Sequence, residues 1–212
     1  MQDIQRLAET DPGTFLGRSF MIAYRAHRAS DWKLLELIDE LRLKAYSSLH
    51  LRLPSVFATP SVLFMLVLAG YYVSFVSVRF DAPATAVFFF AGLIMVTLFS
   101  HPLGHSIFAE LGRFETLGCF LGGRIGVEPT ILLSLRSYYE RSAKGRFWLH
   151  ISGALFTLFS SLLFVPLVYL DGFSMLYRYF TLVFFGAVVL SEVFHSSKKG
   201  DIRRAIRSRR MV

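Results

Sequence analysis

The stretch "FWLHISGALFTLFSSLLFVPLVYL" (Phe147–Leu170) contains no Asp, Glu, Lys or Arg. A helix needs about 20 such residues to cross a bilayer's hydrocarbon layer, so this stretch reads as a membrane span. Three more runs share the character: Ser61–Val78, Ala84–Phe99 and Phe173–Phe194, the last interrupted only by the charges of Arg178 and Glu192. Composition agrees: of 212 residues 54% are hydrophobic, 18% are charged and 22 are Phe. That apolar share is larger than a soluble domain needs.

The basic residues fix an orientation. Arg6, Arg18, Arg25, Arg28, Lys33, Arg42, Lys44 and Arg52 precede the first run, and a second group from Arg113 to Arg146 follows the second run. A third group, Lys198 to Arg210, follows the fourth run, whereas the two remaining loops hold only Arg79. Basic segments stay on the cytoplasmic or equivalent inner side. Four spans then put both termini and the central stretch inside. The expected fold class is an all-α polytopic membrane protein of about four transmembrane helices, with an amphipathic N-terminal helical region and a partly irregular inner-side insertion. By position these are residues 1–60, a membrane domain at 61–196 that includes the insertion at 109–146, and a basic tail at 197–212.

Residues 1–60 are too polar, and too long before the first apolar run, to read as a signal peptide. The single Cys119 offers no disulfide framework. The net charge of +8 sits beside the spans, where it faces the bilayer and its anionic headgroups. The tail "SSKKGDIRRAIRSRR" lacks the aromatic platform that single-stranded nucleic acid would stack on, which argues against nucleic acid as a partner.

"SHPLGHSIFAELGR" (Ser100–Arg113) is the motif with chemistry in it. His101 and His105 stand at i and i+4, on one face of a helix, a spacing that suits zinc. Zinc needs further ligands. The inner side offers His150, His195 and Asp201, with Glu110 and Glu115 close in sequence. Asp171 belongs to the outer side by the same topology. In an HExxH peptidase the residue after the first histidine is the glutamate that takes a proton from metal-bound water; here it is Pro102. Proline cannot donate a helix hydrogen bond, so a break at Ser100 is expected, with Ser100 capping a new helix. Pro166 is expected to kink or end the third span, and Arg178 to snorkel outward beside Asp171. Alternation in "GRIGVEPTILLS" hints at a short strand or loop. "PTILLSLRSYYERS" suggests an interfacial helix, and either Ser30 or Asp31 can cap the helix of residues 31–49.

"HPLGHSIFAELGR", "GGRIGVEP" and the small-residue "HISGALFTLFSSLL" together resemble the core of site-2-protease-like membrane metallopeptidases, over roughly Ala84 to Phe194. The resemblance implies that His101 and His105 occupy the ligand positions and Pro102 the glutamate's. It also implies that "PLVYLDG" (Pro166–Gly172) supplies Asp171 as third ligand, against the charge-derived topology, which favours Asp201. Without the glutamate, the resemblance implies a non-proteolytic scaffold or accessory protein that associates with other membrane proteins and keeps either a structural metal site or the helical scaffold alone, the motif then being an ordinary helix start at the inner interface. A metal-dependent hydrolase with a displaced base is the alternative. A small transporter is a further alternative, but the spans carry mainly Phe, Leu, Val, Ser and Gly, with charges near their ends.

Overall fold

The computed structural model describes residues 1–79, 82–122, 128–170, 173–195 and 201–210. Three helices come first: α1 (Gln2–Thr10), α2 (Pro12–Arg28) and α3 (Trp32–Leu49). Asp11 caps α2 by accepting from the Thr14 N–H, and Asp31 caps α3 by accepting from Leu34 N–H. Ser30 takes the left-handed conformation at φ 56° instead. The short strand β1 (Arg52–Leu53) and a 3-10 turn (Ser55–Ala58) lead to α4 (Pro60–Val76) and α5 (Ala82–Leu111). Then follow β2 (Thr116–Gly122), β3 (Glu128–Leu133), α6 (Leu135–Glu140), α7 (Ala143–Leu170), α8 (Met175–Leu190), a π-turn (Ser191–His195) and α9 (Asp201–Arg210).

Four helical segments are long and apolar enough to cross a membrane: Pro60–Arg79, Pro83–Leu111, Ala143–Tyr169 and Met175–Phe194. Their outward faces expose Phe64, Met65, Ile94, Phe159, Leu176 and Val183. A water-soluble monomer rarely exposes so much contiguous apolar surface, and hydrocarbon is the environment that suits it. The protein is an integral, multi-pass membrane protein. The fourth span has only 6% of its apolar window buried, so it lies at the margin of the bundle.

The core has two parts. Among the spans, Leu63, Val67, Phe89, Leu93, Val96 and Phe164 interlock. Around the inner ends of α5 and α7, Phe15, Leu35, Ile38, Leu135 and Tyr138 join α2 and α3 to α6, and Leu149 of α7 packs with them. The insertion is more regular than expected. β1, β2 and β3 form one antiparallel sheet in that order, with Cys119 paired to Leu53 on one side and Ile131 on the other. The alternating residues before Ser134 are strand, and only Leu135–Glu140 of the expected interfacial helix is helical.

The expected break at Ser100 does not occur. α5 runs through Pro102 and α7 through Pro166. Each proline removes one backbone hydrogen bond, to the carbonyl of Leu98 or Leu162 respectively. Membrane helices tolerate this because neighbouring helices and hydroxyl side chains hold the backbone in place. Ser100 is buried and gives its hydroxyl to the Thr97 carbonyl at 3.3 Å instead of capping. Arg178 lies over the Tyr169 ring at 5.1 Å; its expected neighbour Asp171 is outside the described residues.

Asp39 fastens the N-terminal helices to the insertion. Its buried carboxylate accepts from Ser134 Oγ (2.7 Å), Leu135 N (2.7 Å), Arg136 N (3.1 Å) and Arg42 Nη1 (3.2 Å). The same Arg42 nitrogen donates to the Leu133 carbonyl at 2.8 Å. Asp39→Ala strips a buried guanidinium of its counter-charge and α6 of its first-turn acceptor. Such a loss costs about 3–5 kcal/mol. Denaturant titration in detergent should show that drop, against a near-wild-type value for an exposed control such as Glu9→Ala.

Candidate metal centre

The site forms where α5 and α7 cross. Their contact is close because small residues meet there. A Cβ added at Gly104 would run into the Ser152 carbonyl. A Cβ added at Gly153 would sit 2.5 Å from His105 Nε2 and 2.9 Å from His101 Cε1. The helical i, i+4 pair of α5 therefore lies directly over Gly153 and Thr157 of α7.

Each histidine is held by its Nδ1. His105 Nδ1 is 2.7 Å from the Leu149 carbonyl, which can only accept, so Nδ1 carries the proton. His101 Nδ1 is 3.3 Å from Thr157 Oγ1, whose own hydrogen goes to the Gly153 carbonyl at 3.0 Å. The hydroxyl oxygen then accepts from His101, and Glu192 Oε1 stands 3.8 Å behind the same nitrogen. This network assigns both rings the Nδ1–H tautomer, leaving both Nε2 atoms as bare acceptors.

Those acceptors converge on a carboxylate oxygen. His101 Nε2 is 3.0 Å and His105 Nε2 3.3 Å from Asp201 Oδ2, and the two nitrogens are 3.2 Å apart. Two ligands of a tetrahedral zinc with bonds near 2.0–2.1 Å are separated by about 3.3 Å, so this triangle has the size of one tetrahedral face. His101, His105 and Asp201 form the one group of this kind among the described residues. Three lone pairs this close repel unless positive charge sits among them. One proton on either Nε2 would bond that ring to Asp201 Oδ2; a single metal cation can satisfy all three atoms at once.

Asp201 is set up as an anion. Its other oxygen, Oδ1, faces Arg204 Nη1 at 3.7 Å and His150 Nδ1 at 3.9 Å. His150 is buried, with Nε2 2.9 Å from the Tyr138 hydroxyl. Burial pushes the Tyr138 phenol up to about 12, so it stays protonated and donates to His150. The triangle opens onto a cavity of about 310 Å³ whose wall includes Arg42, Pro102, β3 residues 129–133, Tyr138 and His150.

Of the sequence candidates, His101, His105 and Asp201 come together, with His150 beside them. Asp171 lies outside the described residues, as does the side chain of His195, whose backbone ends the π-turn. Sequence reasoning did not find Thr157, Glu192 or the Leu149 carbonyl as holders of the rings. Thr157 had a weak signal: with Gly153 it repeats on α7 the i, i+4 spacing of the histidines. No family model, curated protein or solved structure matches the chain.

The tautomers can be checked directly. In metal-free protein selectively labelled with 15N-histidine, the Nδ1 resonances of His101 and His105 should be those of protonated nitrogen. Nε2–H signals at both rings would refute the assignment.

Proposed function

We propose that this protein is built on site-2-protease-like lines, holds one divalent metal ion, zinc foremost, and acts as a non-proteolytic scaffold or accessory subunit for other membrane proteins. The observation that carries the reading is the convergence of His101 Nε2, His105 Nε2 and Asp201 Oδ2 at the spacing of a tetrahedral face. Each histidine also has an acceptor for its other nitrogen, the outer support that metal-bound imidazoles use. Glu192, half-buried behind His101, adds negative charge to that support. When bound, such an ion supplies Lewis acidity and a fixed anchor for oxygen or nitrogen ligands.

The absent glutamate is the reason to separate this protein from peptidases. Pro102 has no titratable group. Asp201 is the only carboxylate among the described cavity-lining residues, and its ligand role occupies it. Glu192 stands on the Nδ1 side of His101, away from the opening. The distribution of basic segments supports a site on the cytoplasmic or equivalent inner side.

One observation favours a second reading, a metal-dependent hydrolase with a displaced base. Catalytic zinc sites keep three protein ligands and an open position, and the triangle opens onto a cavity with His150 in its wall.

Metal content decides the first point. Protein purified in mild detergent, with no histidine tag and no added metal, should carry about one zinc per chain by mass spectrometry, as one three-ligand site predicts. His101→Ala/His105→Ala should lose it while staying folded, and Gly153→Val should lose most of it because the added side chain displaces both rings. Folded wild-type protein without metal, even after reconstitution, would end the proposal. Peptide and ester hydrolysis by zinc-loaded protein should not exceed that of the double variant. Turnover that His150→Gln abolishes would select the hydrolase instead.

A further inference from the structure

A second cavity, of about 710 Å³, shares no lining residue with the one beside the histidines. Its walls are β1, the start of β2, the 3-10 turn, the first residues of α4 and the last turns of α5. The helices fix its depth. The first span, Pro60–Arg79, has 20 residues, about 30 Å at 1.5 Å per residue, which is the thickness of the hydrocarbon layer. Pro60 therefore stands at the edge of that layer. The Ser106 hydroxyl donates to the Ala58 carbonyl, which holds Ser106 level with the same edge. Glu110 lies one turn further out, about 6 Å along the helix. The cavity is thus at headgroup depth.

Its charges suit a zwitterion. Among the described lining residues Arg52 is the one cation and Glu110 the one anion. They form no ion pair with each other, and neither side chain has a partner among the described residues. The Ser55 and Ser61 hydroxyls in the same wall are equally unengaged. Charges left unpaired at the edge of a bilayer are costly, and a headgroup can complete them. The wall also continues as apolar surface. Ser61, Phe64, Met65 and Leu68 recur at helical spacing on α4, and all four are exposed. The face that begins in the cavity at Ser61 therefore runs on into the bilayer as an apolar strip.

We propose that this cavity binds an aminophospholipid, phosphatidylethanolamine in type. Arg52, with Ser55 and Ser61, takes the phosphate. Glu110 takes the ammonium, and the acyl chains lie along Phe64, Met65 and Leu68. A choline headgroup has no N–H to give the carboxylate, and a glycerol headgroup brings it no positive charge. A soluble zwitterion would leave the apolar strip unused. The inference owes nothing to the metal reading.

The test titrates delipidated full chain in mild detergent with phosphatidylethanolamine, phosphatidylcholine or phosphatidylglycerol of matched acyl chains. Bound lipid is read by native mass spectrometry. Phosphatidylethanolamine should bind about tenfold tighter than the other two, the worth of one charge-assisted hydrogen bond. Arg52→Gln should weaken phosphatidylethanolamine and phosphatidylglycerol alike, since both carry the phosphate. Glu110→Gln should weaken phosphatidylethanolamine alone and remove its preference. Both side chains are exposed, so circular dichroism should show each variant folded as the parent. Glycerophosphoethanolamine, the same headgroup without acyl chains, should compete far less well than the lipid. Equal affinity for the three lipids would overturn the inference. So would an ethanolamine preference that survives in R52Q/E110Q, or competition by the soluble headgroup as strong as by the lipid.

Discussion

The site depends on how closely α5 can approach α7. Lipid tails are as apolar as leucine, so membrane helices gain little from hydrophobic burial and rely on close van der Waals contact, which small residues permit. Gly104 and Gly153 meet the opposing helix with no room for a Cβ. That contact puts the His105 ring within reach of a backbone carbonyl on α7, at Leu149, and the His101 ring within reach of Thr157. The packing that assembles the bundle thus also chooses the tautomers. A bundle a few ångströms looser would leave the same histidines free to rotate, and their Nε2 atoms would have no common target.

The third member of the triangle comes from a different constraint. With four spans, the segment after the last one returns to the face where the chain began. Arg204 of α9 lies 6.0 Å from the Phe20 ring of α2, and Arg42 of α3 lies 5.3 Å from the same ring. The floor of the cavity is therefore made of parts outside the spans: α2, α3, β3 and α6. Asp39 ties α3 to the start of α6, and α6 places Tyr138 against His150. The membrane helices supply the two imidazoles; the rest of the chain supplies the wall and the carboxylate.

Much of this was legible in the residues, and the limits have physical causes. The four spans follow from apolar length alone, and the i, i+4 pair from helical periodicity. The strand character of β3 was visible as alternation, but not the sheet it joins, because the pairing of Cys119 with Leu53 brings in a segment far away in the chain. The prolines misled. A local rule predicts a break at residue 100, and packing on both sides of α5 overrules it. The third member of the triangle divided the signals. A resemblance in "PLVYLDG" pointed to Asp171, and the distribution of arginine and lysine pointed to the side that holds Asp201. The contact between His101 and Asp201 spans 100 positions, and no short-range pattern encodes it. Thr157 and Glu192 were hidden for the same reason: their role exists only once three helices stand side by side.

Pro102 gives the proposed metal site a character different from that of an HExxH peptidase. In a zinc peptidase that position holds a carboxylate that competes for water and passes protons. Here a buried proline ring forms part of the cavity wall one residue from His101. An apolar wall lowers the local dielectric, and attraction between charges grows as the dielectric falls. The same wall removes the group that would turn a bound water into a nucleophile. Both effects act in one direction. On the proposed reading the proline favours the pull of Asp201 and the two imidazoles on a cation, against the opposing charges of Arg42 and Arg204 in the same wall, and leaves the site without a base to generate hydroxide. On that reading, a triangle of acceptors beside proline suits keeping an ion better than spending it on hydrolysis.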